Sequence, residues 1–229
     1  MITLLEAIHQ RHSVRHYISR PLSPEIIQTL QEKLDARNRE GNLHIQLVLN
    51  EPKGFSGIMA YGSFSGVENY LIMAGKRIDD LDERVGYYGE QLVLLAEQLG
   101  LGTCWAGVSY RKVRGTYQLL PGEKIACMIA LGYPNDEGRH TKRKSIEAVS
   151  NAGLSTPDWF VRGVEAALRA PTAVNQQKYY LEYLPPQGDE LPRVRATRRF
   201  SMVGYTQMDL GIVKLHFEIG AAPARFLWA

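Results

Sequence analysis

The sequence predicts a fold that mixes helices and strands, of either the α+β or the α/β class. One helix is indicated by apolar residues at positions i, i+3, i+4 and i+7, namely Leu92, Leu95, Ala96 and Leu99. Residues 124–134 instead form a near-continuous apolar run, which is typical of a strand buried on both faces. Helix and strand patterns alternate along the 229 residues without a regular βαβ period, so both classes stay open at this point.

The elements of the first part of the chain follow from helix starts and apolar runs. Thr3 and Glu6 form a capping box that begins a helix reaching about His12. Ser23, followed by Pro24, begins a second helix. The pattern then predicts a strand, a Gly-rich connection, another strand and a long helix, at residues 43–50, 54–66, 69–75 and 86–99.

A boundary is predicted near residues 149–159, and a shorter second segment follows it. Thr156 is the expected cap of a helix that begins at Pro157. After this helix we expect a strand, a partly basic loop, a final helix and a tail, at residues 178–184, 185–199, 208–220 and 223–229.

The composition indicates a globular protein with a small positive charge. Hydrophobic residues make up 45% and the net charge is +3, which suits a small anionic ligand and is too weak to indicate nucleic-acid binding. A solvated loop explains the local run of arginines better than a nucleic-acid interface does; these are Arg193, Arg195, Arg198 and Arg199. We expect no membrane span, because no apolar run is long enough. We also expect a cytoplasmic location, because Cys104 and Cys127 lie in apolar surroundings typical of reduced, buried thiols.

Four short stretches carry groups suited to a phosphorylated, planar ligand. Residues 11–17, RHSVRHY, bring two guanidinium groups and a hydroxyl together, as phosphate and carbonyl oxygens require. The glycines of 99–107 allow the backbone to approach a flat ligand. Residues 170–177 offer a proline, a hydroxyl and an amide, and Lys142 and Arg143 add positive charge. Each stretch also has a plain structural explanation: a solvated helix end, a glycine-capped helix, an ordinary turn and a solvated charge run.

In this order the stretches RHSVRHY, LAEQLGLGTCWAG, ALGYP and APTAVNQQKYYLEY resemble the FMN-dependent nitroreductase family, over roughly residues 4–184. The resemblance implies an α+β fold, with a central, mostly antiparallel sheet flanked by helices. It also implies FMN as the cofactor, whose flavin carries the chemistry without a side-chain acid or base.

The resemblance further assigns roles to residues of this chain. It implies that the phosphate, ribityl chain and pyrimidine edge are held by Arg11, His12, Ser13 and Arg15, with Arg15 also stabilising negative charge on the reduced ring. It also implies that four residues line the isoalloxazine ring close to its N5 atom: Trp105, Ala106, Gly107 and Val108. It also implies that Lys142 and Arg143 lie close to the phosphate.

One departure from the family pattern bears on the domain organisation. In the family, a turn of the Pro-Ser-x-x-Asn type follows the second helix, whereas here it stands far later, at Pro171, Thr172, Ala173 and Asn175. Family members are usually homodimers that share each FMN between subunits, and residues 209–221 weakly echo residues 86–102. We therefore expect an internal pseudo-dimer, with a nearly complete protomer half at 1–150 and a shortened half at 151–229 that completes one FMN site. A monomer is favoured, and a homodimer is the alternative.

The implied activity is hydride transfer from NAD(P)H, through flavin N5, to a nitroaromatic, quinone or similar small planar acceptor in a ping-pong cycle. Two alternatives remain: another FMN redox reaction on the same scaffold, or a flavin-binding module without efficient turnover of its own. The aromatic residues and glycines of 54–66 are candidates for the mouth of the acceptor pocket, although a surface loop explains them better. Neither a metal site nor a nucleic-acid partner is expected.

Overall fold

The structure, a computed structural model, describes residues 1–56, 64–136, 138, 141–188 and 190–229. Its helices are α1 Leu4–Gln10, α2 Pro24–Gly41, α3 Leu81–Gln98, α4 Ile146–Val149, α5 Asp158–Ala167 and α6 Thr206–Ala221. Its strands are β1 Tyr17–Ile18, β2 Gln46–Val48, β3 Asn69–Lys76, β4 Gly102–Ala106, β5 Glu123–Pro134, β6 Tyr179–Leu184, β7 Arg193–Arg198 and β8 Leu227–Trp228. Short 3-10 turns lie at Pro52–Phe55 and Ala173–Asn175.

Strand β5 is the centre of the larger sheet. It pairs antiparallel with β3, with β4 and, at its end, with β1, while β2 pairs antiparallel with β3. Most residues of β3 and β5 are buried, which explains why each reads as an apolar run. A smaller sheet joins β6 and β7 antiparallel and adds β8 parallel to β7. The prediction of an α+β fold with a mostly antiparallel sheet is confirmed.

Helices α3 and α6 cross in very close contact, through one glycine on each helix. A Cβ added at Gly86 would lie 2.1 Å from the carbonyl oxygen of Met208, and one at Gly211 would lie 2.0 Å from that of Glu83. The two contacts are reciprocal, because each glycine meets the carbonyl three residues before the other. The absence of both side chains is what lets the two backbones touch.

The first two helices begin at the caps that the sequence predicts, whereas α5 does not. The capping box is present, since Thr3 Oγ1 accepts from Glu6 N at 3.2 Å and Glu6 Oε2 accepts from Thr3 N at 2.7 Å. Ser23 caps α2 as predicted. Thr156, however, is not a cap: its hydroxyl bonds to Gly153 in the preceding turn, and the cap position of α5 is Pro157 itself.

Three other predictions are wrong in extent or type. Residues 185–199 are not a loop throughout, because β7 alternates exposed arginines with Val194 and Ala196 turned to the core. The tail contains β8, which β7 stabilises by pairing. Helix α3 begins at Leu81 rather than Gly86, since Leu81 and Val85 are also buried on its inner face.

Some predicted features lie partly or wholly outside the described residues. Residues 57–63 of the Gly-rich connection are among them, and so are residues 139–140 of the basic stretch. Within the described ranges, no helix is both long enough and apolar enough to cross a lipid bilayer.

Candidate functional site

The arginine-rich stretch leaves helix α1 and runs beside strand β4. Arg11 ends the helix in an extended conformation, Val14 N donates to Thr103 O at 3.0 Å, and Ser13 forms an isolated bridge with Thr103. Gly102 has no room for a Cβ, which would lie 2.5 Å from a methyl carbon of Val14. The structure thus brings together two of the stretches that the sequence singled out.

Arg11 is buried, with 7% of its side chain exposed, and it is incompletely satisfied. One terminal nitrogen donates to Arg169 O at 3.5 Å, and Nε lies 3.9 Å from Glu90 Oε1. Among the described residues, Nε finds no hydrogen-bond partner. A buried guanidinium with capacity to spare is costly unless it serves an anion.

Asp136 fixes the conformation of the loop around His12 and Arg15. Its Oδ1 lies 3.0 Å from His12 Nε2, and its Oδ2 accepts from the backbone N–H groups of Arg15 and His16. Burial opposes ionisation, but these hydrogen bonds outweigh it and hold the pKa of the Asp136 carboxyl below its usual value. The side chain of Arg15 stays exposed, with a long hydrogen bond to Ser13 O at 3.4 Å.

The end of β4 presents a flat surface that the second segment covers. Trp105 packs against Gly89 and donates from Nε1 to Glu90 Oε2 at 2.9 Å. A Cβ added at Gly107 would lie 2.5 Å from the Tyr205 ring, so Tyr205 rests directly on this glycine. Ala106 is buried and Val108 is 64% exposed, which places the boundary with solvent just past Gly107.

The turn after α5 is strained. Val174, Asn175 and Gln177 have φ of +46°, +55° and +47°, a conformation that is a clear outlier for β-branched Val174. Strain of this kind persists only where surrounding contacts impose it, and it concentrates at binding sites. Pro171 begins the turn, and Thr172 Oγ1 accepts from Gln177 N at 3.0 Å.

The same turn is tied to the basic segment. Asn175 Nδ2 and Gln177 Nε2 both donate to Lys142 O, at 2.8 and 3.1 Å. Lys144 N donates in return to Gln177 Oε1 at 2.9 Å. Two further stretches that the sequence singled out are therefore in contact, through the Lys142 backbone rather than its ammonium group.

Arg143 is one of the positive charges that act on His9 and Arg169. Burial, together with the charges of Arg169 and Arg143, holds the pKa of His9 below its usual value. Burial and Arg143 lower the pKa of Arg169 in the same way. The Glu165 carboxylate offsets part of this effect at both groups, and Arg11 lies nearby, since it donates to the Arg169 carbonyl.

Asp209, in the first turn of α6, anchors the strained turn. Its two oxygens accept from Ala173 N at 3.0 Å and from Gln176 Nε2 at 2.7 Å. Burial raises the pKa of Asp209 to about 6, even though these hydrogen bonds favour the ionised form. Gln176 also donates to Gly204 O at 2.9 Å, so the turn, Tyr205 and the start of α6 form one unit.

Three residues of this region were not predicted from the sequence: Glu90, Tyr205 and Asp209. Glu90 carried a usable signal, because it is a carboxylate inside the apolar pattern of the strongest helix, and it is fully buried. Tyr205 has a positive φ of 59° and stands before α6, which no local pattern indicates.

Comparisons with known proteins give one consistent result. A sequence model of the family described as "Putative TM nitroreductase" matches residues 3–221. A Thermotoga maritima protein described as a "putative nitroreductase" has 22% identity and a TM-score of 0.61, over 96% of this chain and 83% of its own. A protein from Desulfovibrio desulfuricans with the same description was solved in complex with FMN. It has 19% identity and a TM-score of 0.52, over 69% of this chain and 98% of its own.

A third similar structure is that of a protein from Parabacteroides distasonis whose description includes NAD(P)H nitroreductase. It has 22% identity and a TM-score of 0.51, over 67% of this chain and 100% of its own. No curated protein matches the sequence. At these identities, the solved structures share the fold with this chain.

Proposed function

The chain belongs to this nitroreductase family, and from that premise we propose that it is an FMN-dependent oxidoreductase that uses NAD(P)H. The observation that carries the proposal is the meeting of the selected stretches. Ser13 lies beside Thr103, Arg11 donates to the Arg169 carbonyl just before the turn of residues 170–177, and Asn175 of that turn donates to Lys142 O. Such a convergence is unexpected if each stretch were only a solvated end or turn.

The residues present fit FMN at both ends of the molecule. A phosphate needs cations with free donors, and Arg11 has a buried Nε without a hydrogen-bond partner among the described residues, while one of its terminal nitrogens lies at the Arg169 carbonyl. On the ring side, Gly107 lets Tyr205 approach the backbone beside Trp105, and these residues would line the planar ring. The FMN complex of the Desulfovibrio desulfuricans relative supports the same cofactor.

We assign the binding roles as the family resemblance suggests. Arg11, His12, Ser13 and Arg15 would hold the phosphate, ribityl chain and pyrimidine edge. The strained turn would complete the pocket with Pro171, Thr172, Ala173 and Asn175. The flavin ring would be lined by Trp105, Ala106, Gly107 and Val108. The phosphate would be faced by Lys142 and Arg143.

FMN held there would supply the redox chemistry of the proposed ping-pong cycle, in which NAD(P)H is the hydride donor and a nitroaromatic, quinone or similar planar compound is the acceptor. The protein contributes orientation and charge. Arg15 is an exposed cation that can balance negative charge at the pyrimidine edge. Tyr205 covers Gly107 and keeps water from that side of the site.

We also propose that one chain forms one complete site, as an internal pseudo-dimer of residues 1–150 and 151–229. The reciprocal glycine contacts of α3 and α6 support this arrangement, because they are what a two-fold axis between the halves would produce. Asn175 and Tyr205 of the second segment contact Lys142 and Gly107 of the first. We keep the cytoplasm as the proposed location, since Cys104 and Cys127 are buried thiols without a disulfide.

The test is cofactor content followed by turnover. The purified protein should carry FMN, or bind it when added, and then oxidise NADH or NADPH with menadione or a nitrofuran as acceptor. Bound FMN without turnover by any acceptor would favour the flavin-binding module. Failure to bind FMN would refute the proposal.

A further inference from the structure

A buried polar cluster lies directly behind the proposed site. It consists of Arg11, Glu90, Trp105 and His216, here called the Glu90 cluster. Glu90 and His216 are both 0% exposed. Glu90 Oε1 lies 2.9 Å from His216 Nε2 and 3.9 Å from Arg11 Nε, while Oε2 accepts from Trp105 Nε1 at 2.9 Å.

The protons of this cluster can be counted from its contacts. Both ring nitrogens of His216 face acceptors, because Nδ1 lies 3.2 Å from Ala166 O and Nε2 faces the Glu90 carboxyl. Nδ1 must therefore carry a proton, and a second proton must lie between Nε2 and Oε1. The carboxyl group is thus engaged on both oxygens, which is the condition for burying it at acceptable cost.

The cluster joins the elements that flank the proposed site. Arg11 follows α1 on the phosphate side, and Trp105 ends β4 on the ring side. Glu90 belongs to α3, whereas His216 belongs to α6 of the second segment. One carboxyl group therefore contacts both sides of the site and both segments of the chain.

We propose that Glu90 and His216 are positioning residues that hold the Arg11 guanidinium and the Trp105 indole in place for the cofactor, an inference that rests on the proposed FMN site. Apart from Glu90, Arg11 has only a long hydrogen bond to Arg169 O among the described residues. Trp105 Nε1 has Glu90 as its acceptor. In Glu90→Gln only one acceptor oxygen remains, so the side chain can no longer present oxygens to both the Arg11 guanidinium and the Trp105 indole, and the group that loses its partner is free to rotate away from the orientation that the ligand needs.

Positioning and simple charge balance predict opposite results for the same change. If the shared proton lies on His216, Glu90→Gln removes the carboxylate nearest Arg11 while His216 gives up that proton, so the net charge of the pair is unchanged but the group beside Arg11 becomes less negative. By charge alone this would tighten the binding of an anionic phosphate. Loss of orientation weakens binding instead. The direction of the change in FMN affinity therefore separates the two explanations.

The experiment compares Glu90→Gln with Glu83→Gln. Glu83 is a matched control because it also bridges α3 to α6, through Lys214 and Gln207, but does not contact Arg11 or Trp105. FMN affinity is measured by quenching of flavin fluorescence for each variant, alone and combined with Arg11→Ala. We expect Glu90→Gln to weaken FMN binding about tenfold, Glu83→Gln to change it less than about twofold, and the Glu90 effect to fall to about twofold in the Arg11→Ala background.

A second measurement needs no cofactor. The indole N–H resonance of Trp105 in the apoprotein, assigned by its loss in Trp105→Phe, should shift in Glu90→Gln and stay in place in Glu83→Gln. If Glu90→Gln does not fold, His216→Asn replaces it, because Asn can still donate to Ala166 O but no longer reaches Glu90. Its expected effects are the same.

Several outcomes would overturn the inference: tighter or unchanged FMN binding in Glu90→Gln, an equal loss in Glu83→Gln, or an undiminished loss in the Arg11→Ala background. An unmoved indole resonance would do so as well. If the wild-type protein binds no FMN, the proposed function fails, and the resonance still decides whether Glu90 holds Trp105.

Discussion

Asp209 should make the stability of this protein depend on pH in a direction opposite to that of most acidic residues. Its pKa is raised from 3.8 to about 6 by burial between α6 and the turn at Ala173. The folded state therefore holds this proton more tightly than the unfolded state does. The contribution is fully present below pH 3.8 and is lost as the pH rises through about 6.

The size of the effect follows from the difference in pKa. A shift of about two units corresponds to about 3 kcal/mol in total, of which about 2 kcal/mol falls between pH 4.5 and 7.5. Asp209→Asn removes the titrating group while keeping an acceptor for Ala173 N. The free energy of unfolding of the wild type, relative to Asp209→Asn, should thus fall by about 2 kcal/mol over that range.

The assay is urea denaturation of both proteins at several pH values, followed by far-UV circular dichroism. Asp158→Asn is the control, because Asp158 is an exposed acid in the first turn of α5, the position that Asp209 holds in α6. A constant difference between wild type and Asp209→Asn across the range would show that Asp209 is not buried in this way. If the free energy of unfolding of the wild type instead rises relative to Asp209→Asn as the pH increases, the predicted direction is wrong.

Three further predictions concern the site and the helix crossing. Arg11→Ala should weaken FMN binding by about 1.5–3 kcal/mol, the value of a charge-assisted hydrogen bond, and an unchanged dissociation constant in a fluorescence titration would exclude Arg11 from the site. Asn175→Ala should also weaken FMN binding, since it frees the strained turn from the Lys142 backbone; full FMN occupancy in this variant would argue against a composite site. Gly86→Ala should destabilise the fold by about 1–3 kcal/mol in urea denaturation, because its Cβ would meet the Met208 carbonyl. Gly153→Ala is the control and should not destabilise the fold, because its surroundings are open. Equal stability of the two variants would contradict the close helix crossing.

The sequence was most informative where structure is decided by neighbouring residues. The capping box of Thr3 and Glu6 acts within four residues, and it is present as predicted. The apolar run of β5 likewise needs no knowledge of its partners to be recognised as buried. Strand β7 was missed because its arginines outweighed the alternation of Val194 and Ala196, although that alternation was visible.

The contacts of the candidate site that were missed join residues far apart in the sequence. Arg11 is buried against a carbonyl 158 positions later, and Glu90 meets His216 across 126 positions. Tyr205 covers Gly107 only because α6 packs on α3. Local patterns identify which residue types are available for binding, whereas tertiary packing decides which of them face one another.

The most direct test of the account is sedimentation of the purified protein, detected at the flavin absorbance maximum, with FMN quantified after heat release. A complete site within one chain predicts that FMN sediments with a 25.8 kDa monomer, at one FMN per chain. FMN that sediments only with a dimer, and is lost when the dimer dissociates, would contradict the internal pseudo-dimer. A protein that binds no FMN at all would contradict the proposed function itself.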